Sequence, residues 1–256
     1  MEKPLNIEKA LKMEKSLKAA IETGNTKRVA KLLERGANPN AYTVNCLTLA
    51  IECRLPISVE LLLKAGAHPD RMDHKDDFPL LIAARYGDVY STVTLLKAGA
   101  DINQQNFPGK RTALMECASK GDSRIAQVLL NPPIRTKEVL FCCCAREYGD
   151  YSSPFHPDNL PLDMLREIVK NVFFSVDIDR VDGKGWSALH YAAEYTSYRL
   201  TEILLNHGAD SNQISKNGNT PLDMAKCQNL FATSKWKCQE VKDTIQLLEN
   251  VKYTNK

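Results

Sequence analysis

Residue types able to do acid–base or nucleophilic chemistry gather in one stretch, 148–158. It holds His156, two aspartates (Asp150 and Asp158) and the hydroxyls of Ser152 and Ser153. Hydrolysis would need these to form a nucleophile, a base and an orienting partner within hydrogen-bond reach. Such a composition is equally usual for a solvated loop, and no partnered set emerges. Eight cysteines are a second possible source of chemistry: Cys46, Cys53, Cys117, Cys142, Cys143, Cys144, Cys227 and Cys238. None forms C-x-x-C, and no two close pairs flank a loop as a zinc ribbon requires. They read as small apolar residues in a reducing compartment, the run 142–144 as part of a buried inner helix. The chain lacks the phosphate loop G-x-x-x-x-G-K, H-E-x-x-H and G-x-S-x-G. The expectation is therefore no catalytic residue, no metal site and no cofactor.

Composition narrows the partners. Over 256 residues the formal net charge is +3, which gives no electrostatic argument for nucleic acid or an anionic membrane. No apolar run reaches the length of a membrane span. The first residues lack the layout of a secretory signal. A cytoplasmic monomer that binds neither nucleic acid nor membrane is expected.

The elements that would position any site come from repetition. Phe78-Pro79-Leu80-Leu81-Ile82-Ala83-Ala84-Arg85-Tyr86-Gly87-Asp88 is followed by a helical stretch and by Leu95-Leu96-Lys97-Ala98-Gly99-Ala100-Asp101-Ile102-Asn103. Ser187-Ala188-Leu189-His190-Tyr191-Ala192-Ala193 is followed in the same way by Ile203-Leu204-Leu205-Asn206-His207-Gly208-Ala209-Asp210-Ser211-Asn212. Weaker copies recur at about 33 residues, the period of stacked helix-turn-helix units. These residues resemble the ankyrin repeat, with its T-P-L-H, A-A, L-L and G-A-D-V-N landmarks. The resemblance runs from Leu17 to Leu248. It implies an all-α solenoid of about seven helix-turn-helix units with β-hairpin tips, one unit degenerate and carrying an insertion. The reading in order is an N-terminal capping helix at 1–16, repeats 1–4 at 17–130, a degenerate repeat 5 with an insertion at 131–181, repeats 6–7 at 182–251 and a tail at 252–256. Within the fifth unit 148–158 is expected to be mobile or to project. The second unit's hairpin is about three residues short, the fourth's holds one extra residue, and the seventh's outer helix is delayed.

What the resemblance implies for function is protein binding without catalysis, on the concave face of the stack. Threonine and proline start each inner helix, paired alanines keep it slim and leucine pairs fill the core. His190, alone in the T-P-L-H histidine slot, reads as a bond between neighbouring turns. The positions left free are the hairpin tips and the residues just after A-A. The tips offer His74, Lys75, Asp77, Phe107, Lys110, Arg111, Lys184 and Trp186. The helix ends offer Glu22, Glu52, Arg85, Tyr86, Ser119, Lys120, Glu194 and Tyr195. Tyrosine, tryptophan and arginine dominate binding hot spots, although each aromatic could instead pack on an adjacent hairpin. Asn103 resembles the ankyrin asparagine hydroxylated by an iron- and oxoglutarate-dependent enzyme; its other reading is a hydrogen bond across the hairpin. Residues 160–174 resemble the opening of an F-box, which would make the chain a substrate-recruiting adaptor of a ubiquitin ligase. A helix of a damaged repeat explains the same apolar spacing. A bacterial effector working in a host cytosol is a further alternative.

Overall fold

The computed structural model describes residues 4–40, 45–131, 176–229 and 235–254. Among them are twelve helices and no strand. They form two compact bodies, one of the described residues up to Asp101, the other of those from Ile102 onward. The first body holds α1 (Pro4–Glu22), α2 (Thr26–Glu34), α3 (Cys46–Glu52), α4 (Pro56–Lys64), α5 (Pro79–Tyr86) and α6 (Val89–Lys97). The second holds α7 (Ala113–Lys120), α8 (Ser123–Leu130), α9 (Ala188–Glu194), α10 (Tyr198–Asn206), α11 (Pro221–Asn229) and α12 (Lys235–Thr254).

Short polar residues start these helices because they satisfy backbone N–H groups that have no partner inside the helix. Asn45 Oδ1 accepts from the N–H of Leu47 and Thr48 at α3, and Asp122 Oδ1 accepts from those of Arg124 and Ile125 at α8. Thr112 caps α7 through the N–H of Met115. Proline opens α4 and α5, where its missing donor costs nothing. At the far end of the inner helices the chain turns through a left-handed residue. Gly87 and Gly121 take that place at φ 66° and 68°, and Arg54 and Thr196 take it at 55° and 56°.

The helices form two rows in each body. In the first, α3 packs between α1 and α5, and α4 between α2 and α6. In the second, α9 packs between α7 and α11, and α10 between α8 and α12. Alanine lets the inner row close up: Ala83, Ala84, Ala192 and Ala193 are fully buried. The leucine pairs behave less uniformly than expected. Leu95 and Leu96 are both buried, but Leu63, Leu130 and Leu205 are half-buried while Leu62, Leu129 and Leu204 are fully so. One residue along a helix is a rotation of about 100°, which carries the second leucine toward the edge of the seam.

Three details were not given by the spacing alone. The capping segment and the first inner helix are one uninterrupted helix, α1, since no breaker interrupts the run from Leu5 to Glu22. The tips are tight turns with no assigned strand, each closed by a backbone bond between its ends, Asp73 N–H to Asp77 O, Asn106 to Arg111, Asp182 to Trp186 and Ser215 to Asn219, and by a second backbone bond within it. The fourth tip is the longer one, as its sequence indicates. Third, helices on either side of the unit read at 131–181 pack on each other. Helix α7 packs directly on α9, and α8 on α10. Most of that unit, 132–175, lies outside the described residues, including 148–158, the cysteines 142–144 and the F-box-like 160–174.

Adjacent hairpins approach closely. At Gly185, φ is +77° and an added Cβ would lie 2.9 Å from the backbone nitrogen of Lys216. At Gly208, φ is +87° and a Cβ would meet nothing within 4 Å. Gly208→Ala should therefore carry only the left-handed backbone cost, about 1 kcal/mol. Gly185→Ala should cost roughly twice that, because the next hairpin must also shift. Urea midpoints at unchanged slope measure both; equal losses would refute the close approach at Gly185.

Candidate functional site

Two of the tips are organised by a carboxylate that turns inward. In the first body Asp73 Oδ1 accepts from the N–H groups of Lys75 and Asp77 at 2.8 and 3.0 Å. Asp182 does the same in the second body for Lys184 and Trp186, both at 2.8 Å. Asp182 is buried, and its other oxygen accepts the Tyr191 hydroxyl at 2.7 Å. Burial, and then this bond to a carboxylate, push the Tyr191 hydroxyl well above its ordinary pKa, so it remains a donor.

Several expected contact residues are engaged by the scaffold. Asp77 is buried and its Oδ2 lies 2.6 Å from Arg85 Nη1, which ties the tip to the end of α5. Lys75 Nζ reaches Glu52 Oε1 on the neighbouring unit at 3.4 Å. The Ser119 hydroxyl donates to Glu116 O, and Glu194 Oε1 accepts from Gln228 Nε2 at 3.1 Å. Arg111 turns inward, with Nη1 2.9 Å from Glu116 Oε2 and its guanidinium 4.7 Å from the centre of the Tyr191 ring. Trp186 meets the same ring edge-on at 5.1 Å, and Lys184 Nζ stands 5.3 Å from the Trp186 ring. Arg111, Tyr191 and Trp186 thus form one stack joining two hairpins.

A smaller set faces solvent. Tyr86 is 39% exposed and Tyr195 57% exposed, at matching positions on α5 and just past α9. Lys120 holds that position on α7 and is also exposed. His74, Lys110 and Phe107 are exposed on the tips, Phe107 at 65%. Arg54 lies over the Tyr86 ring at 5.7 Å. It stands where the repeat ordinarily has glycine, a departure visible in the sequence whose consequence needed the fold. Exposed apolar residues that escaped the sequence reading include Met72, Val181 and Ile214. Each precedes the first residue of its tip, a position with no landmark in the repeat.

Asn103 Oδ1 accepts the Asp177 N–H at 2.8 Å. Cys46 and Cys117 are buried, and burial raises both thiols, Cys46 to about 11. Cys53 and Cys227 are exposed. No cluster of three or more His, Cys, Asp or Glu suited to a metal occurs among the described residues. No helix among them is long and apolar enough to cross a membrane.

Two family profiles, both described as ankyrin repeats, match residues 80–130 and 162–236. A bovine mitochondrial disaggregase is 33% identical over 171 residues, which is 64% of this chain and 24% of that protein. A putative ankyrin repeat protein of fowlpox virus is 28% identical over 65% of this chain and 84% of its own length. Human SH3 and multiple ankyrin repeat domains protein 2 is 25% identical over 90% of this chain and 12% of its own length. The chain thus spans about a quarter of the length of the disaggregases it matches. Among solved structures, an ankyrin repeat domain from Acinetobacter baumannii covers 91% of this chain and aligns over 97% of its own length, with a TM-score of 0.65 at 20% identity.

His190 is fully buried at the start of α9. Its Nδ1 accepts the Ser187 N–H at 3.2 Å, which leaves Nε2 to donate to Asn219 O at 3.2 Å. Both bonds use the neutral ring, and burial lowers the pKa below the ordinary 6.5. Below about pH 6.5 the unfolded chain takes up a proton that the folded ring resists, so stability falls as pH falls through this window. Melting temperature should drop between pH 7.5 and 5.5, and drop less in His190→Asn. A variant with the wild-type pH slope would remove His190 from this role.

Proposed function

Because the chain belongs to the ankyrin-repeat family, whose members are generally protein-interaction modules, we propose that it is a non-catalytic scaffold binding a protein or peptide partner at the ends of its inner helices. The observation that carries this is the repeated exposed position just after the buried alanines. It holds Tyr86 in the first body and Lys120 and Tyr195 in the second, while the side chains beside it are engaged in tip-to-helix or inter-unit bonds. Rigid aromatic side chains on a preformed surface lose little freedom on binding and bury a large area. Lys120, Lys110 and Phe107 extend the same reading, the lysines aiding encounter with an acidic partner. His74 belongs to it as an exposed tip residue. Trp186 and Arg111 support the surface from beneath through the Tyr191 stack. A cytosolic monomer fits this reading, and host cytosol fits it equally for a delivered effector. The ligase-adaptor reading rests on 160–174, outside the described residues.

The experiment compares proteins retained by the intact chain from an extract of its native cells with those retained by Tyr86→Ala, Tyr195→Ala and the double variant. Far-ultraviolet circular dichroism should be unchanged in all three. The expected result is loss of at least one specific partner, with about a tenfold weaker Kd for the single variant in the body that carries the contact. Unchanged retention by a folded double variant would move the binding surface away from these helix ends.

A further inference from the structure

Two repeating bonds record which units are neighbours. In the first, the side chain closing one unit's turn accepts the backbone N–H of the next unit's turn. Asp70 Oδ1 accepts from Asp101 at 2.7 Å, and Asp179 Oδ1 from Asp210 at 2.8 Å, each across 31 residues of sequence. Asn103 Oδ1 accepts from Asp177 in the same way at 2.8 Å, but across 74 residues. In the second, the tips join: Lys216 N–H donates to Lys184 O at 3.1 Å, and Gly183 N–H to Gly109 O at 2.9 Å. Both bonds span the place where 132–175 interrupts the sequence, and both have the geometry of an uninterrupted pair. Helix packing agrees, α7 on α9 and α8 on α10.

The register fixes what the interruption replaces. After Leu95-Leu96-Lys97, the connector Ala98-Gly99 leads to Ala100-Asp101. After Leu204-Leu205-Asn206, His207-Gly208 leads to Ala209-Asp210. In the fourth unit Leu129-Leu130-Asn131 corresponds to the first part and Val176-Asp177 to the last. We infer that residues 132–175 stand in place of a two-residue helix-to-turn connector of the fourth unit, and that the contiguous interface of α7–α8 with α9–α10 assembles without them. Residues 176–179 then close the fourth unit rather than a fifth. Lys120 and Tyr195 become neighbours on one surface, although the interruption lies between them in sequence.

Two measurements test this, and neither depends on partner binding, so their failure is distinct from failure of the proposed function. The first is a double-mutant cycle in the full chain. If α7 and α9 are neighbours, Arg111→Ala should raise the unfolding equilibrium constant about threefold more when Tyr191 is present than in Tyr191→Leu. The second replaces 132–175 by Ala-Gly. That chain should keep a single cooperative melt and the same Arg111–Tyr191 coupling. Zero coupling in the full chain would overturn the inference whatever the shortened chain does. An unfolded shortened chain would also overturn it, and would give residues before 176 a place in the stack.

Discussion

Helices of seven to nine residues, such as α3, α7 and α10, are too short to persist in water alone. Burial of α3 between α1 and α5, and of α9 between α7 and α11, is therefore the interaction on which the rest depends. It is apolar and non-directional, so it sets how close the units come but not their register. Register comes from polar groups at the rim. The turn bonds of Asp70, Asn103 and Asp179 and the tip bonds of Gly109 and Lys184 each admit one alignment of neighbouring units. Core contacts and rim bonds divide the task, since a slipped register would leave backbone N–H groups without acceptors.

The same division governs where function can reside. Positions that face the seam must be small or aliphatic, and those that close the tips must offer an acceptor. Asp73 and Asp182 accept backbone N–H groups in the same way, so one oxygen of each is committed to its own tip. Charge at a tip is a poor guide to availability: Asp77 and Arg111 look exposed in sequence, yet each is held by a charge on its own inner helix. Tyr86 and Tyr195 differ in remaining exposed at the outward ends of inner helices. Arg54 modifies that surface from the preceding unit, placing a cation over the Tyr86 ring.

Much of this was legible in the residues. The spacing of proline, alanine pairs, leucine pairs and glycine located the helices near where they lie and made His190 a bridge between turns, which its bonds to Ser187 and Asn219 bear out. Local signals of this kind survive because caps, turns and helix faces are decided within a few residues. The fate of Arg85, Arg111 and Trp186 was not legible. A long side chain at a free position can reach outward or fold back, and the choice depends on whether a neighbouring unit offers a carboxylate or a ring.

The order of stacking shows the boundary most clearly. The sequence by itself determined that the chain is a helical array and that its rhythm breaks after Leu130, because prolines 132 and 133 bar a continuing helix. Counting units along the chain put a fifth between the fourth and the sixth. Only the tertiary structure showed that Asn103 bonds to Asp177 and that α7 packs on α9. The physical reason is that seam and rim bonds recognise complementary surfaces brought together in space. Their energy does not depend on how many residues the chain takes to return, and lengthening the closing segment adds only a slowly growing entropy cost.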